Sequence, residues 1–289
     1  MMEYINLKYK TNQHTTPKCY LKNFSEDQTM LFQKSKTIHV DDGTVTKELK
    51  RPISIKKKAT VVKDFYTVKS GREPMLVETL IYEREIENYY PKIYNLLTNP
   101  TVKGFDMEGR NRLLMCLLSL HCRTPKQFQI FFEFVKPMVN DEEEIQKIKE
   151  DYKGFHVKEV LPNFIAAHQF KIVRIAKITD TSEFITSDNP VLIVDNKGSL
   201  KNNQYREQFN IDNTILVPLD RKHCCILTNA TDKNGISIYN KVYYNKIERI
   251  DVDCSFTQNV NYLMLRSADK VYFGSEKYLN AFFSLWKLV

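Results

Sequence analysis

The sequence predicts an α+β fold: a mixed or antiparallel sheet, built from N- and C-terminal strands, packed against a central helical bundle. Three observations predict it. Residues 1–70 carry short alternating stretches, residues 74 to about 170 carry apolar residues at helical spacing, and strand patterns return from 171 to 289. Strands grouped on either side of a run of helices argue for α+β rather than alternating α/β. No linker-like stretch separates the blocks and no internal repeat is visible. The expectation is therefore a single domain over 1–289, with 1–70 as short strands and loops, 71–170 as a helical insertion and 171–289 as a strand-rich half with closing helices.

In the first block, Met30–Gln33, Thr37–Val40 and Ala59–Val68 read as strands, with Asp41, Asp42 and Gly43 as a hairpin-like turn. A basic run from Lys47 to Lys58 contains one acid, Glu48. It reads either as a solvated loop or edge strand, or as a phosphate-contacting flank.

The helical block begins at Pro74, suited to a first helical turn, and apolar residues from Leu76 to Leu97 predict one continuous helix. A second helix is expected from Asp106, its N-cap, to Cys122. Its stretch Leu113–Leu118 is apolar nearly all round and belongs at the bundle centre. Thr124, Pro125 and Gln127 form a capping box for a third helix to about Val139. Asn140 and Glu143 repeat the pattern for a charged fourth helix, and a fifth spans Lys158–Phe170.

In the last block, Lys171–Ile178, Glu183–Thr186, Val191–Val194, Thr214–Pro218 and Cys224–Thr228 are β-branched and bounded by turn residues. Ser255–Arg266 reads as a helix, Val271–Phe273 as a final strand and Glu276–Leu288 as a closing helix.

Composition removes several function classes. An apolar share of 42% and mixed charges of 27% describe a folded chain, not a disordered one. With 8 glycines there is neither G-x-G-x-x-G nor G-x-x-x-x-G-K-[ST], so a glycine-rich nucleotide loop is not expected. The longest apolar run, Leu113–Leu118, is too short to span a bilayer, and Met1–Lys10 lacks a signal-peptide core. Six cysteines without a C-x-x-C pair read as reduced, mostly buried thiols in a cytoplasm. The formal charge of +8 favours anionic partners, nucleic acid or a phosphorylated small molecule, although a lysine-rich surface also serves solubility alone.

Four polar residues at element ends are the candidates for chemistry. His14 is expected in a loop before a short turn begun by Pro17 and anchored by Tyr20, Leu21 and Phe24; it is either acid, base or ligand, or a hydrogen-bonded loop histidine. Asp188 and Asn189, in Ser187-Asp188-Asn189-Pro190, are either displayed at a strand end facing a cleft or close an Asx-type turn. Arg123 lies between a buried helix and a capped one. It would clamp a phosphate or carboxylate, or pair with an internal acid such as Asp188. Glu78 and Glu85 are seven apart on the first helix, hence on one face; with His14 and Asp188 they would hold a divalent metal, and otherwise they are solvated. Ser187 has no G-x-S-x-G context, His121 reads as core, and His168 and His223 have no partner at ligand spacing.

The combination His14-x-x-Pro17-x-x-Tyr20-Leu21-x-x-Phe24-Ser25, Arg123-Thr124-Pro125, Ser187-Asp188-Asn189-Pro190, Val217-Pro218-Leu219 and the stretch Asn261–Phe273 resembles a large, mainly bacterial family, domain of unknown function 4238. The resemblance covers roughly residues 13–275, with Thr15 and Thr16 where aromatic or aliphatic residues are usual. It implies a single cytoplasmic domain and no established reaction. Two functions stay open. One is a hydrolase of a phosphate-containing or nucleic-acid substrate, with His14, Arg123, Asp188 and Asn189 as its pocket. The other is a non-catalytic nucleic-acid-binding or sensor protein in which the same residues are structural staples.

Overall fold

A computed structural model describes residues 11–35, 38–40, 43–45, 52–68, 74–139, 141–231, 237–238 and 245–286. It has the expected class, α+β with mixed and antiparallel sheets. The chain opens with β1 (Asn12–His14), the short helix α1 (Lys18–Leu21) and a 3₁₀ turn, Lys22–Phe24. The Pro17 carbonyl accepts the first amides of α1, from Tyr20 at 3.1 Å and Leu21 at 3.0 Å, so the proline does start the turn. Tyr20, Leu21 and Phe24 are fully buried, as their spacing predicts.

The strands β2 (Met30–Ser35), β3 (Ile38–Val40), β4 (Gly43–Val45), β5 (Ile53–Ser54) and β6 (Val61–Lys63) follow. β3 and β4 pair as a hairpin with Val40 opposite Gly43; Asp41 and Asp42, the expected turn residues, lie outside the described residues. The predicted strand Ala59–Val68 shrinks to Val61–Lys63 because Thr60 and Asp64, on either side, hold φ of 54° and 53°. A β-branched residue at positive φ leaves the β region at a cost.

The expected helix Pro74–Leu97 is broken. Leu76–Glu87 winds as a π-helix with i→i+5 bonds, and α2 (Tyr90–Thr98) starts afresh. Pro91 explains the break, since it has no N–H for the Glu87 carbonyl and its ring crowds that oxygen. Next comes α3 (Met107–Cys122), capped by Asp106 Oδ1 on the Gly109 amide at 2.7 Å. The apolar segment Leu113–Leu118 is at the bundle centre, all but fully buried except Met115. In α4 (Pro125–Val135), Thr124 caps the Gln127 amide, but the box is half made. The Gln127 side chain instead donates to the Asn202 carbonyl and accepts from Gln208. In α5 (Glu142–Phe155), Asp141 caps the Glu143 amide at 2.9 Å; Asn140 lies outside the described residues. The fifth helix is not separate. A wide turn, His156–Val160, carries the chain from α5 directly into α6 (Leu161–His168), and Pro162, which cannot donate to Lys158, accompanies that loosening.

Strands β7 (Ile172–Ile178), β8 (Thr186–Ser187), β9 (Leu192–Val194), β10 (Thr214–Pro218), β11 (His223–Thr228), β12 (Ala230–Thr231), β13 (Ser237–Ile238) and β14 (Ile247–Val252) precede helix α7 (Cys254–Ser267), β15 (Val271–Gly274) and helix α8 (Glu276–Trp286). Of the predicted strand Glu183–Thr186 only Thr186 is in a strand, with Ser187. The main sheet has the order β14-β7-β11-β10-β9, antiparallel except for β14, which runs parallel to β7. β14 gives a weak sequence signal because three of its six residues are charged and it lies at a sheet edge.

Both faces of the sheet are covered at its centre, which is why β9, β10 and the middle of β11 are apolar at nearly every position. Val173, Ile175, Val217, Cys225 and Leu227 face the bundle and pack with Leu113 and Leu117. Ala176, Ile178, Leu216, Cys224 and Ile226 face α7 through Val260 and Met264. Two N-terminal strands, β2 and β5, join C-terminal ones in a separate sheet, β5-β2-β15-β8, where Phe32 pairs with Gly274 and Ser35 with Val271, while β1 pairs with β6 and β3 with β4.

Three histidines are sealed inside the helical side. His121 Nε2 meets Gln208 Oε1 at 3.0 Å, His168 Nε2 donates to the Gln208 carbonyl at 3.0 Å, and His156 Nδ1 meets the Tyr152 hydroxyl at 3.0 Å. The second nitrogen of each has no hydrogen-bond partner among the described residues. Burial pushes His121 down to about 4, and His156 and His168 to about 3. The unfolded chain therefore takes up protons near pH 6.5 that the folded chain refuses until pH 4 to 3. Stability is full above pH 6.5 and falls through this window at about 1.4 kcal/mol per histidine per pH unit. Urea melts at pH 7.5, 6 and 5 should show the loss, and His156→Phe should reduce it by about a third; a pH-independent midpoint contradicts it.

Candidate functional site

Arg123 follows α3 as its C-cap, with φ −87° and ψ 0°, and its side chain is completely buried. A buried guanidinium needs an anion and acceptors for its N–H groups. The chain supplies them from three segments. Glu87 Oε1, at the end of the π-helix, lies 2.9 Å from Nη1. The His14 carbonyl accepts from Nη2 at 2.7 Å. The Tyr66 hydroxyl accepts from Nε at 3.3 Å and donates back to the Arg123 carbonyl at 2.6 Å. The guanidinium also lies 4.2 Å from the Tyr82 ring centroid. Burial works against the charge, but Tyr66, Glu87 and Tyr82 outweigh it and hold Arg123 more firmly protonated than usual.

The arginine thus pairs with an internal acid, as one of its two readings required. That acid is Glu87, not Asp188.

Asp188, 9% exposed, is turned inward. Its Oδ1 accepts from the Asp269 amide at 2.9 Å, and its Oδ2 from the Lys270 and Val271 amides at 2.8 and 3.3 Å. Burial pushes its carboxyl up to about 6, against the pull of those amides. Asn189 is fully buried: Nδ2 donates to the Ser267 carbonyl and hydroxyl at 3.0 and 2.9 Å, and Oδ1 faces the Thr124 hydroxyl at 3.3 Å. Neither side chain closes an Asx-type turn: both bind the distant residues 267–271, and the local bond is made by Ser187 Oγ, which accepts from the Asn189 amide at 3.1 Å.

His14 is not in a loop. It ends β1, paired antiparallel with β6 so that His14 lies opposite Val61. A carbonyl only accepts, so Nε2, 2.9 Å from the Ile55 oxygen, carries the proton and Nδ1 keeps the lone pair. Half-burial lowers its affinity for a proton, with Arg123 and Lys18 acting the same way against Ile55 and Glu87.

The four candidates are linked indirectly, through main-chain atoms and neighbouring residues. Arg123 reaches the His14 carbonyl, Thr16 Oγ1 reaches the Asp188 carbonyl at 3.4 Å, and Thr124 reaches Asn189. The rest of the opening segment continues the network. Tyr20 donates to the Pro218 carbonyl at 2.9 Å and meets Thr186 Oγ1 at 2.6 Å, and Asn23 donates to the Leu219 carbonyl at 3.2 Å.

Glu78 and Glu85 do not converge. The i→i+5 winding removes the shared face that a spacing of seven would have given. Glu78 is buried, and Glu85 binds Arg112 at 3.0 Å on the surface. Among the described residues no group of three His, Cys, Asp or Glu side chains is placed to hold a metal ion. Surface clefts lined by Phe132 and Ile145, by Ser182 and Tyr278, and by Tyr89 and Phe105 contain none of the four candidates.

Sequence reading missed Glu87, Tyr66 and Tyr82, which have no signature beyond being polar on an apolar helix or loop. It also missed a pair that spacing could have found, Asp220-x-x-His223, joined at 2.9 Å.

A family model described as "Protein of unknown function (DUF4238)" matches residues 12–277. No curated protein and no solved structure matches. No helix among the described residues is long and apolar enough to cross a membrane.

Asp188→Asn is isosteric but sets an NH₂ donor against backbone donors. It should cost about 1–3 kcal/mol in a urea melt; unchanged stability would contradict the structural role assigned to this carboxylate.

Proposed function

The chain belongs to the DUF4238 family of proteins of unknown function, and we propose that its basic surface beside His14 is a non-catalytic binding site for a phosphate-bearing or nucleic-acid ligand. The observation that carries this reading is the placement of lysines. Lys56, Lys57 and Lys58 are exposed in the turn that begins at Ile55, the residue whose carbonyl His14 holds. Lys18, four residues after His14 at the start of α1, and Lys63, opposite Asn12, are also exposed. Lysines act on phosphate as point charges and give salt-dependent affinity without reading sequence.

A hydrolase built on His14, Arg123, Asp188 and Asn189 is less well supported. The Asp188 and Asn189 side chains are held by the protein's own groups, and Arg123 is held by the His14 carbonyl and Tyr66 with Glu87 2.9 Å from its Nη1, which makes no aligned hydrogen bond; His14 Nδ1 has no assigned role. We place the protein in the cytoplasm, because its six cysteines are free thiols and four of them are buried.

Electrophoretic shifts with a single-stranded oligonucleotide, run at salt from about 50 to 200 mM, test the proposal. The wild-type chain should bind and lose affinity steeply with salt. Lys56→Glu, Lys57→Glu and Lys58→Glu combined should weaken binding and lower the log–log salt slope by about 2. Wild-type binding that is absent at low salt, or untouched by the triple substitution, overturns it.

A further inference from the structure

The turn between β10 and β11 holds a second arrangement, independent of His14 and Arg123. Asp220 is buried at this turn, and its Oδ1 accepts from the Lys222 and His223 amides at 2.6 and 2.8 Å. Those bonds close the turn and would be enough for a structural residue. The carboxylate does more. His223 Nδ1 lies 2.9 Å from Oδ2 and 3.1 Å from Oδ1, and the Tyr94 hydroxyl, from α2, donates to Oδ2 at 2.7 Å. Burial opposes the charge on Asp220, yet His223 and Tyr94 hold its carboxyl below the usual range.

A carboxylate accepts only, so Nδ1 is the protonated nitrogen and Nε2 of the neutral ring carries the lone pair. The His223 side chain is 20% exposed against 11% for Asp220, so the anchor is deep and the ring reaches the surface. This is a base oriented by a buried acid, with a tyrosine fixing the acid in turn.

A cation stands beside it. His223 pairs directly across the sheet with Lys177 of β7, and directly paired residues point to the same face with Cβ atoms about 4.5–5.5 Å apart. The neighbouring cations are occupied: Arg221 lies 3.2 Å from Glu26, and Lys222 Nζ donates to the Asp180 and Ser182 carbonyls. Lys177 is exposed and has no ion pair with a described residue, although Asp251 of β14 lies opposite it on its far side. The row His223, Lys177, Asp251 crosses the end of the sheet where α2 brings in Tyr94.

We propose that His223 is the general base of a site that hydrolyses phosphodiesters, with Lys177 countering the charge on the phosphoryl oxygens and Asp220 and Tyr94 as positioning residues. Nε2 takes a proton from water as the water oxygen bonds to phosphorus. The bond from phosphorus to the leaving oxygen breaks, that oxygen takes a proton from solvent, and the imidazolium returns its proton to solvent. The products are a phosphomonoester and an alcohol, and the step needs no oxidant, reductant or further reactant.

Bis(4-nitrophenyl) phosphate is the probe, offered to the purified full chain. The wild-type protein should turn it over, and His223→Ala and His223→Gln should lose about 10²–10⁴-fold. Asp220→Asn should lower kcat with little change in KM, and Lys177→Ala should raise KM. Because Asp220 also closes a turn, the ¹⁵N spectrum of the wild-type imidazole supplies a check free of substitution: the Nδ1–H tautomer is expected for His223. No wild-type turnover, turnover unchanged in both His223 variants, or the Nε2–H tautomer overturns the proposal.

Discussion

One buried positive charge organises the helical side of this protein. Arg123 cannot reach water, so the chain must bring it an anion and acceptors, and each comes from a different segment. Removing one partner of such a pair strands the other, at about 3–5 kcal/mol, whereas an apolar replacement of the whole set can be neutral. The pair therefore specifies arrangement as much as it stabilises. It ties the end of the π-helix and the opening segment to the C-terminus of α3, residues separated by 36 and 109 positions in the chain.

The opening segment serves as the strap of this arrangement. Its main chain meets Arg123 and its side chains reach the carbonyls of Asp188, Pro218 and Leu219. Asn189 then joins the start of α4 to the end of α7. The motifs that carry the family resemblance are thus places where the chain touches itself across long separations. This explains why they look like catalytic residues. Polar side chains at element ends are what a site needs, and also what a buried junction of several elements needs.

Much of this was legible in the sequence. The caps at Asp106 and Thr124, the buried run Leu113–Leu118, the anchor Tyr20, Leu21 and Phe24, and the strands Thr214–Pro218 and Cys224–Thr228 follow local rules that tertiary structure left intact. What escaped depended on non-local or main-chain facts. Pro91 splits a helix whose apolar period runs straight through it. β14 carries Glu248, Arg249 and Asp251 among its six residues, which an edge strand with one partner, β7, tolerates. The partner of Arg123 could not be chosen between Glu87 and Asp188 from spacing. Its contact with His14 uses a carbonyl, an atom that every residue carries and that residue type therefore does not flag.

A double-mutant cycle on Arg123→Met and Glu87→Gln, read by urea denaturation, tests the central claim most directly. If the two side chains form one buried unit, their effects are strongly non-additive, with a coupling of about 2 kcal/mol or more. Additive effects, with a coupling within about 0.5 kcal/mol of zero, would contradict the account.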